Sequence, residues 1–528
     1  MTKRTLSVSP TPCPSKKQKT LIESHFNIGR VSSPQAAAAV DADPPLGKLL
    51  SALENISTNS IKIGDAIAYW MRMQDMRICD NRALARASAK ALEDHIPLVV
   101  FFVLSPQDYV AHDRSPRRVD FTLRNLAILK DSLAKLNIPL HVSTHTPRRT
   151  LPSYVISLLQ SFNATRVFAN IEYEVDELRR DIAICTLAND NGIHPTFVHD
   201  KLIVEPGLLS TKQGKPYTVY SPFQRQWLST LNQNTDKYLA EAASPFANSP
   251  SVKNHPVISK LFASETPSHV ENFRCPDKDI MAVVWPAGTD AARKMLHRFL
   301  FTKSRDTHLG LADPLEEGAV ISEKQSRAMT YKDHRDRADR DTTSRLSREC
   351  VRAVVGLLGV KKVQASRDSG VEMWIQEIAW RDFIHTFLLL SPRLDGSSIQ
   401  EKYADVQTGH TGVPIVDAAI RQAIPWVRWM HNRTRMIAAM YLTKDLLIDW
   451  RLGERHFMQQ FIDGDLASNN GGWQWSATDP NGDYIRTFVP ELSNVFGPDI
   501  HNPPAKPLID HKEARDRALR RYKNPGSR

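Results

Sequence analysis

Between residues 61 and 204, short apolar runs rich in β-branched and aromatic residues alternate with longer helical stretches. Ala66–Met71, Leu98–Leu104, Leu140–Ser143, Arg166–Ile171 and Pro195–Val198 read as strands, with Phe121–Leu136 and Glu174–Asn191 as helices among those between them. Strands separated by whole helices pair in parallel, and a parallel sheet needs cover on both faces. The expected unit is therefore an α/β, doubly wound parallel sheet of Rossmann-like type. Neither GxGxxG nor GxxxxGK[ST] occurs, so the common dinucleotide and P-loop phosphate cradles are absent.

The flanks differ in composition. Residues 1–60 are rich in Ser, Pro, Thr and Ala and poor in aromatics, so they cannot bury enough apolar surface to offset ordering entropy; a disordered basic tail is expected. Lys3-Arg4 and Lys16-Lys17-Gln18-Lys19, eleven residues apart, have the spacing of a bipartite nuclear import signal, although a solvated basic tail has the same composition. The nucleus is the expected compartment. A mitochondrial leader is the other reading, against which Pro12 and Pro14 would interrupt an amphipathic helix. Lys19–Phe26 loosely resembles a peptide that docks on a replication clamp, without the usual Gln and paired aromatics. Residues 61–204 form the α/β domain, 205–255 a connector dense in Gly, Pro, Ser and Asn, and 256–528 a helical domain.

The net charge of +11 and pI near 9.3 favour a polyanionic partner. The longest apolar stretch, Ile96–Leu104, is too short to span a membrane. Five cysteines without a CxxC or zinc spacing point to a reducing compartment and to no metal site.

Three stretches of the helical half carry unusual chemistry. In Trp374–Phe383, Trp374, Glu377 and Trp380 sit three apart. A carboxyl flanked by indoles is favoured in its protonated, donating form, though aromatics at this spacing also build plain cores. In Trp429–Met436, Asn432 and Met436 share a helical face while Arg433 and Arg435 project elsewhere, suiting a rim that grips phosphate beside an apolar pocket. An ordinary surface helix has the same pattern. In Asp463–Trp475, two aspartates, two asparagines and a Gly-Gly pair lie beside tryptophans. Glycines permit close backbone approach, and the amides and carboxylates can hydrogen-bond a heteroaromatic ring.

These stretches, in this order, resemble the FAD-binding half of the photolyase/cryptochrome family, and the resemblance runs from about Ile67 to Tyr522. Trp70 through Asp80–Leu84 is similar to its opening strand and loop, and Asn170–Glu177 to its antenna segment. Ala505–His511 through Lys523 resembles fungal cyclobutane pyrimidine dimer photolyases. The resemblance implies an antenna domain joined to a helical domain that binds FAD, and a monomer acting on DNA that contains pyrimidine dimers. It also implies the reaction: light-excited reduced FAD donates an electron to a flipped-out dimer, which splits.

By position, Tyr331 and Thr343, Ser344, Arg345, Leu346 and Ser347 would hold the FAD phosphates. Trp374, Arg381, Asp382, Asp463, Gly464, Asp465 and Asn469 would surround the flavin and ribityl chain. Glu377 would donate to the dimer carbonyl, with Trp380, Asn432, Met436 and Trp475 forming the dimer wall. Trp473 and Trp450 match the inner members of a tryptophan electron relay, and Arg335, Arg433 and Arg435 would contact DNA. Asp176 and Glu177 match contacts to a folate (methenyltetrahydrofolate) antenna.

The sequence departs from the family pattern after Ala477, where a loop and helix are omitted. It departs again at Leu394–Gln407, where the outer relay tryptophan is missing, and at Arg348-Glu349-Cys350, where the family begins an apolar helix. A cryptochrome-type blue-light photoreceptor is the alternative, against which the dimer-pocket identities stand and no long extension follows Lys523. An inactive lesion-binding homologue is the other.

Overall fold

The computed structural model describes residues 42–56, 62–304, 315, 319–322, 324–338, 341–344, 370–390, 409–422, 429–446 and 450–473. Outside them lie the two basic clusters, Lys19–Phe26, Arg345, Leu346, Ser347, the Leu394–Gln407 segment, Trp475 and everything after it.

Five strands form one parallel sheet: β1 (Ala66–Trp70), β2 (Leu98–Leu104), β3 (Leu140–Thr144), β4 (Ala164–Asn170) and β5 (His194–Val198). Their spatial order is β3-β2-β1-β4-β5. The expected doubly wound α/β unit is thus present, with strand ends within two residues of those read from the sequence. β1 and β2 are buried along their whole length, which is why both read as unbroken apolar runs rather than alternating ones. Alternate side chains feed two separate cores. Ala66, Ala68 and Trp70 join the core under α1 (Pro45–Glu54), α4 (Leu151–Ser161) and α5 (Val175–Asp190). Ile67 and Tyr69 join the core under α2 (Arg82–Glu93) and α3 (Pro116–Ala134). Asn81 caps α2, its side chain accepting from Leu84 N at 3.1 Å, and Ser115 precedes Pro116 at the start of α3.

One boundary differs from the sequence reading. Residues 45–54, assigned to the tail, form α1, whose Leu46 and Leu49 are buried. Flanking Ser, Pro and Ala dilute this short apolar face in any composition window. The connector contains α6 (Tyr220–Gln233), with Phe223, Trp227 and Leu231 buried on one side. Further along come α7 (Thr289–Phe301), α8 (Tyr331–His334), α9 (Gly370–Leu390), α10 (Pro414–Arg421), α11 (Asn432–Met440), α12 (Trp450–Gln460) and α13 (Leu466–Gly472). α6 packs with α7 and α9 into one core, and α10, α11 and α12 share another with Trp473.

The halves are joined by apolar and polar contacts. Trp429 and Ile462 pack with Met281 and Trp285 against Phe121 of α3. The Gly464 carbonyl accepts from Arg114 at 3.4 Å and Arg118 at 2.5 Å, and Gln459 donates to Asp113 at 3.0 Å. No described helix is long and apolar enough to cross a membrane.

Candidate active site

A cavity of about 510 Å³ opens at this joint, within the range of small-molecule and cofactor sites. One wall comes from the α/β half, including Met73, Gln74 and Arg77 just past the C-terminal end of β1, together with Arg118 and Phe121 of α3. This is beside the β1–β4 pair, where the strand order reverses and α/β sheets leave a crevice. The opposite wall comes from α11, α12 and the turn into α13.

That turn supplies the densest polar lining. Asp463 accepts from Arg435 Nη2 through both oxygens, at 3.0 and 2.8 Å. Arg435 also donates from Nε to Met430 O at 2.7 Å, and its guanidinium lies 4.4 Å from the Phe461 ring centre. Asp465 accepts from Ser468 N at 2.7 Å, capping α13, and faces Lys201 at 3.7 Å and His385 at 3.5 Å. Asn469 donates to Glu454 O at 2.9 Å and accepts from Trp473 Nε1 at 3.2 Å. The Trp473 ring lies directly over Gly453 of α12.

His431 precedes α11 and caps it, its Nδ1 accepting from Arg433 N at 3.2 Å. Burial pushes His431 down to about 4 and does the same to His456. Between about pH 4 and 6.5 the folded chain therefore binds fewer protons than the unfolded one, so stability falls as pH drops through this window. Each histidine contributes up to about a tenfold change in the folding equilibrium per pH unit. His431→Asn, which keeps a capping oxygen, is expected to flatten the dependence of the unfolding midpoint on pH over this range. An unchanged slope would show that His431 is not held neutral.

A second cluster lies on α9. Glu377 forms an ion pair with Arg335, which follows α8. The next residue, Asp336, sits 2.6 Å from Arg433 Nη2. Burial raises the Glu377 pKa, with Arg335 opposing the rise. Trp380 stacks on Tyr220 of α6, ring centres 3.7 Å apart and planes 10° from parallel. Trp374 packs against Phe299 at 5.7 Å.

The structure thus divides the residues singled out in the sequence. Thr343, Ser344, Arg381, Asn432, Arg435, Met436, Asp463, Gly464, Asp465, Asn469 and Trp473 line the cavity together. Tyr331, Arg335, Trp374, Glu377, Trp380 and Arg433 are not among its lining residues, and Trp450 packs beside the α10–α12 core. Arg435, expected at a DNA rim, is turned inward onto Asp463, because a buried-edge carboxylate holds its guanidinium more firmly than solvent would. Asp382, expected beside the flavin, faces the end of the α/β half and α6 of the connector, accepting from Ile203 N, Val204 N and Trp227 Nε1 at 3.0, 3.2 and 3.0 Å.

Asp176 and Glu177 lie in the first turn of α5. Arg148 donates to Asp176 at 2.6 Å, while His112 bridges the two carboxylates at 3.7 and 3.5 Å. His112 and Arg148 hold Asp176 well below the usual carboxylate range, and burial raises Glu177. Sequence reasoning missed Asp336, Tyr220, Phe461 and the α/β wall of the cavity. None has a local signal beyond the charge alternation of Arg335-Asp336-Arg337.

Residues 67–244 match the DNA photolyase family model, and 374–478 match the FAD binding domain of DNA photolyase. The chain is 34% identical to a deoxyribodipyrimidine photo-lyase of Neurospora crassa over 91% of its own length and 85% of the relative's. It is also 34% identical to the corresponding Vibrio cholerae protein, over 86% of this chain and 98% of that one. The solved class III photolyase of Agrobacterium tumefaciens superposes with a TM-score of 0.68 at 26% identity, covering 88% of this chain and 98% of that chain. A Synechocystis cryptochrome shares the fold, with a TM-score of 0.64 at 20% identity, covering 87% and 99%. A parallel sheet, a helical half, a cavity at their joint and the FAD binding domain match over 374–478 define a two-domain flavoprotein architecture. The chain belongs to the photolyase/cryptochrome family.

Proposed function

We propose that this protein is a deoxyribodipyrimidine photo-lyase, splitting cyclobutane pyrimidine dimers in DNA under blue or near-UV light. The observation that carries the reading is the joint cavity. Its volume suits a cofactor, and it collects Asp463, Asp465, Asn469 and Arg435, with Asn432 and Met436 also in its lining. FAD fits this donor set: Thr343 Oγ1 lines the cavity and is buried with no hydrogen-bond partner among the described residues, as a hydroxyl kept for a ligand would be. When bound and reduced, FAD supplies the light-activated electron. The chain's own part is to extract and orient the lesion and to place a proton donor at its carbonyl.

Arg335 and Arg433 would hold the phosphates on either side, and Asn432 and Met436 would wall the flipped bases. Trp380 would add an aromatic surface, one face of which is already covered by Tyr220. Glu377 in its protonated form would donate to the carbonyl that gains charge. For the antenna, Glu177 Oε2 is buried without a partner among the described residues and is suited to the N–H groups of a pterin ring.

The decisive experiment uses chemically reduced protein and an oligonucleotide carrying one thymine dimer, with and without blue light. Light-dependent repair establishes the lyase. Flavin binding without repair favours a photoreceptor, and DNA binding without flavin favours an inactive lesion binder. Arg433→Ala is expected to weaken binding to damaged and undamaged DNA alike and to reduce the salt slope by about one. An unchanged slope would remove the phosphate contact.

The two N-terminal basic clusters support import into the nucleus, whereas a 31% identical Saccharomyces cerevisiae relative is described as mitochondrial. A fluorescent fusion with Lys16, Lys17 and Lys19 replaced by alanine separates the two destinations.

A further inference from the structure

Resting on the repair reading above, we infer that Glu377 and Asp336 latch Arg335 and Arg433 in the DNA-free protein, and that DNA phosphates release both arginines, so that lesion binding loads a proton onto Glu377. Asp336 thereby gains a role as a positioning residue.

The geometry is a four-residue chain. Glu377 pairs with Arg335, Arg335 Nε lies 4.0 Å from Asp336, and Asp336 lies 2.6 Å from Arg433. Both arginine side chains are part-exposed, at 31% and 16%, and Asp336 is about half exposed at 48%. A guanidinium fork fits carboxylate and phosphate alike, so an incoming phosphate competes for donors already held in a carboxylate-binding pose.

The charged groups bearing on Glu377 come from two directions, Arg335 and Asp336 after α8 and Arg433 on α11. Two phenols face it as well, Tyr220 of α6 and Tyr331 of α8, both raised by burial and uncharged at neutral pH. In the free protein Arg335 and Arg433 favour the carboxylate against burial and Asp336. Drawing both arginines towards phosphate removes the stabilising cations and brings negative charge nearer. Partial burial (the Glu377 side chain is 34% exposed) and Asp336 remain, and both favour protonation. Every change has the same sign. One proton passes from solvent to a Glu377 oxygen, with no electron moved, and the acid then has the O–H that a dimer carbonyl needs and that a carboxylate lacks.

A group whose pKa is higher in the complex takes up protons on binding, so affinity is greatest at low pH and falls as pH rises through the free and then the bound value. The test titrates flavin-loaded protein, in the dark, with a duplex carrying one thymine dimer. Calorimetry in two buffers of different ionisation heat is run alongside affinity measurements from pH 6 to 8. The expected result is net uptake approaching about one proton per complex, with affinity falling by up to about tenfold for each unit separating the two pKa values. Glu377→Gln should still bind but lose both the uptake and the pH dependence. Asp336→Asn, a change at a half-exposed side chain, should bind damaged and undamaged duplex several-fold more tightly.

Tight binding without proton uptake, uptake that survives Glu377→Gln, or weaker binding by Asp336→Asn would each overturn the latch while leaving the repair reading standing. Failure of the wild-type protein to bind dimer-containing DNA would overturn both.

Discussion

Asp382→Ala is expected to destabilise the protein by about 3 to 5 kcal/mol, seen as a large drop in denaturant midpoint and faster proteolysis of the connector. The carboxylate is fully buried and gathers Ile203 N, Val204 N and Trp227 Nε1 on one oxygen. Removing it strands three donors in a site lined by Phe223, Phe383 and the Trp227 ring. Each lost bond has a modest net value, but an orphaned buried donor costs the full desolvation of its group. Asp382→Asn keeps an acceptor oxygen and should cost only about 1 kcal/mol. Burial raises the Asp382 pKa, so the charge itself adds little that an amide would forfeit. Equal losses for the two variants would show that the bonds are not what anchors the 203–204 segment and α6 to α9.

Gly453→Ala should disrupt the helical half almost as strongly. A methyl group there would stand 1.9 Å from Trp473 Cη2 and 2.5 and 2.6 Å from its neighbours Cζ3 and Cζ2. Alanine improves helix propensity by about 1 kcal/mol, but the ring must leave its place, and overpacking costs about 1 to 3 kcal/mol before its contacts are counted. Those contacts include the Trp473–Asn469 hydrogen bond and the Phe457 ring at 4.8 Å. Because Trp473 and Asn469 line the cavity, flavin retention through gel filtration should fall together with stability. Full retention would mean that the ring has room to shift.

Much of the fold was legible because a buried parallel strand announces itself locally. Leu98–Leu104 is apolar at every position and is bounded by turn residues, so its strand was read to the residue. α1 was hidden because a ten-residue helix with two buried leucines carries too weak a signal against a Ser/Pro-rich background. At the site, the Asp463–Trp475 stretch, described as far as Trp473, was legible since its residue set is improbable for a surface loop. What the sequence could not disclose were the partners. Arg435 beside Asn432 reads as a second phosphate anchor until Asp463, 28 residues on, is seen to hold it. Asp382 beside Arg381 reads as one half of a flavin-facing pair until Ile203 and Val204 at the end of the α/β half, some 180 residues earlier, and Trp227 of the connector are seen to take its hydrogen bonds. Adjacent residues on a helix point in different directions, and only tertiary packing decides which one meets the ligand.

The joint also imposes an order on biosynthesis. Arg118 meets its acceptor, the Gly464 carbonyl, across a separation of 346 residues. All five strands are complete by Val198, long before Gly464 has been added to the growing chain. At about 5 to 20 residues per second, the α/β half has roughly 13 to 50 s on the ribosome with its half of the cavity wall uncovered. Helices that depend on this wall then arrive last. Until those helices close over it, the apolar part of that wall, Phe121 of α3 included, is open to association with other unfinished chains.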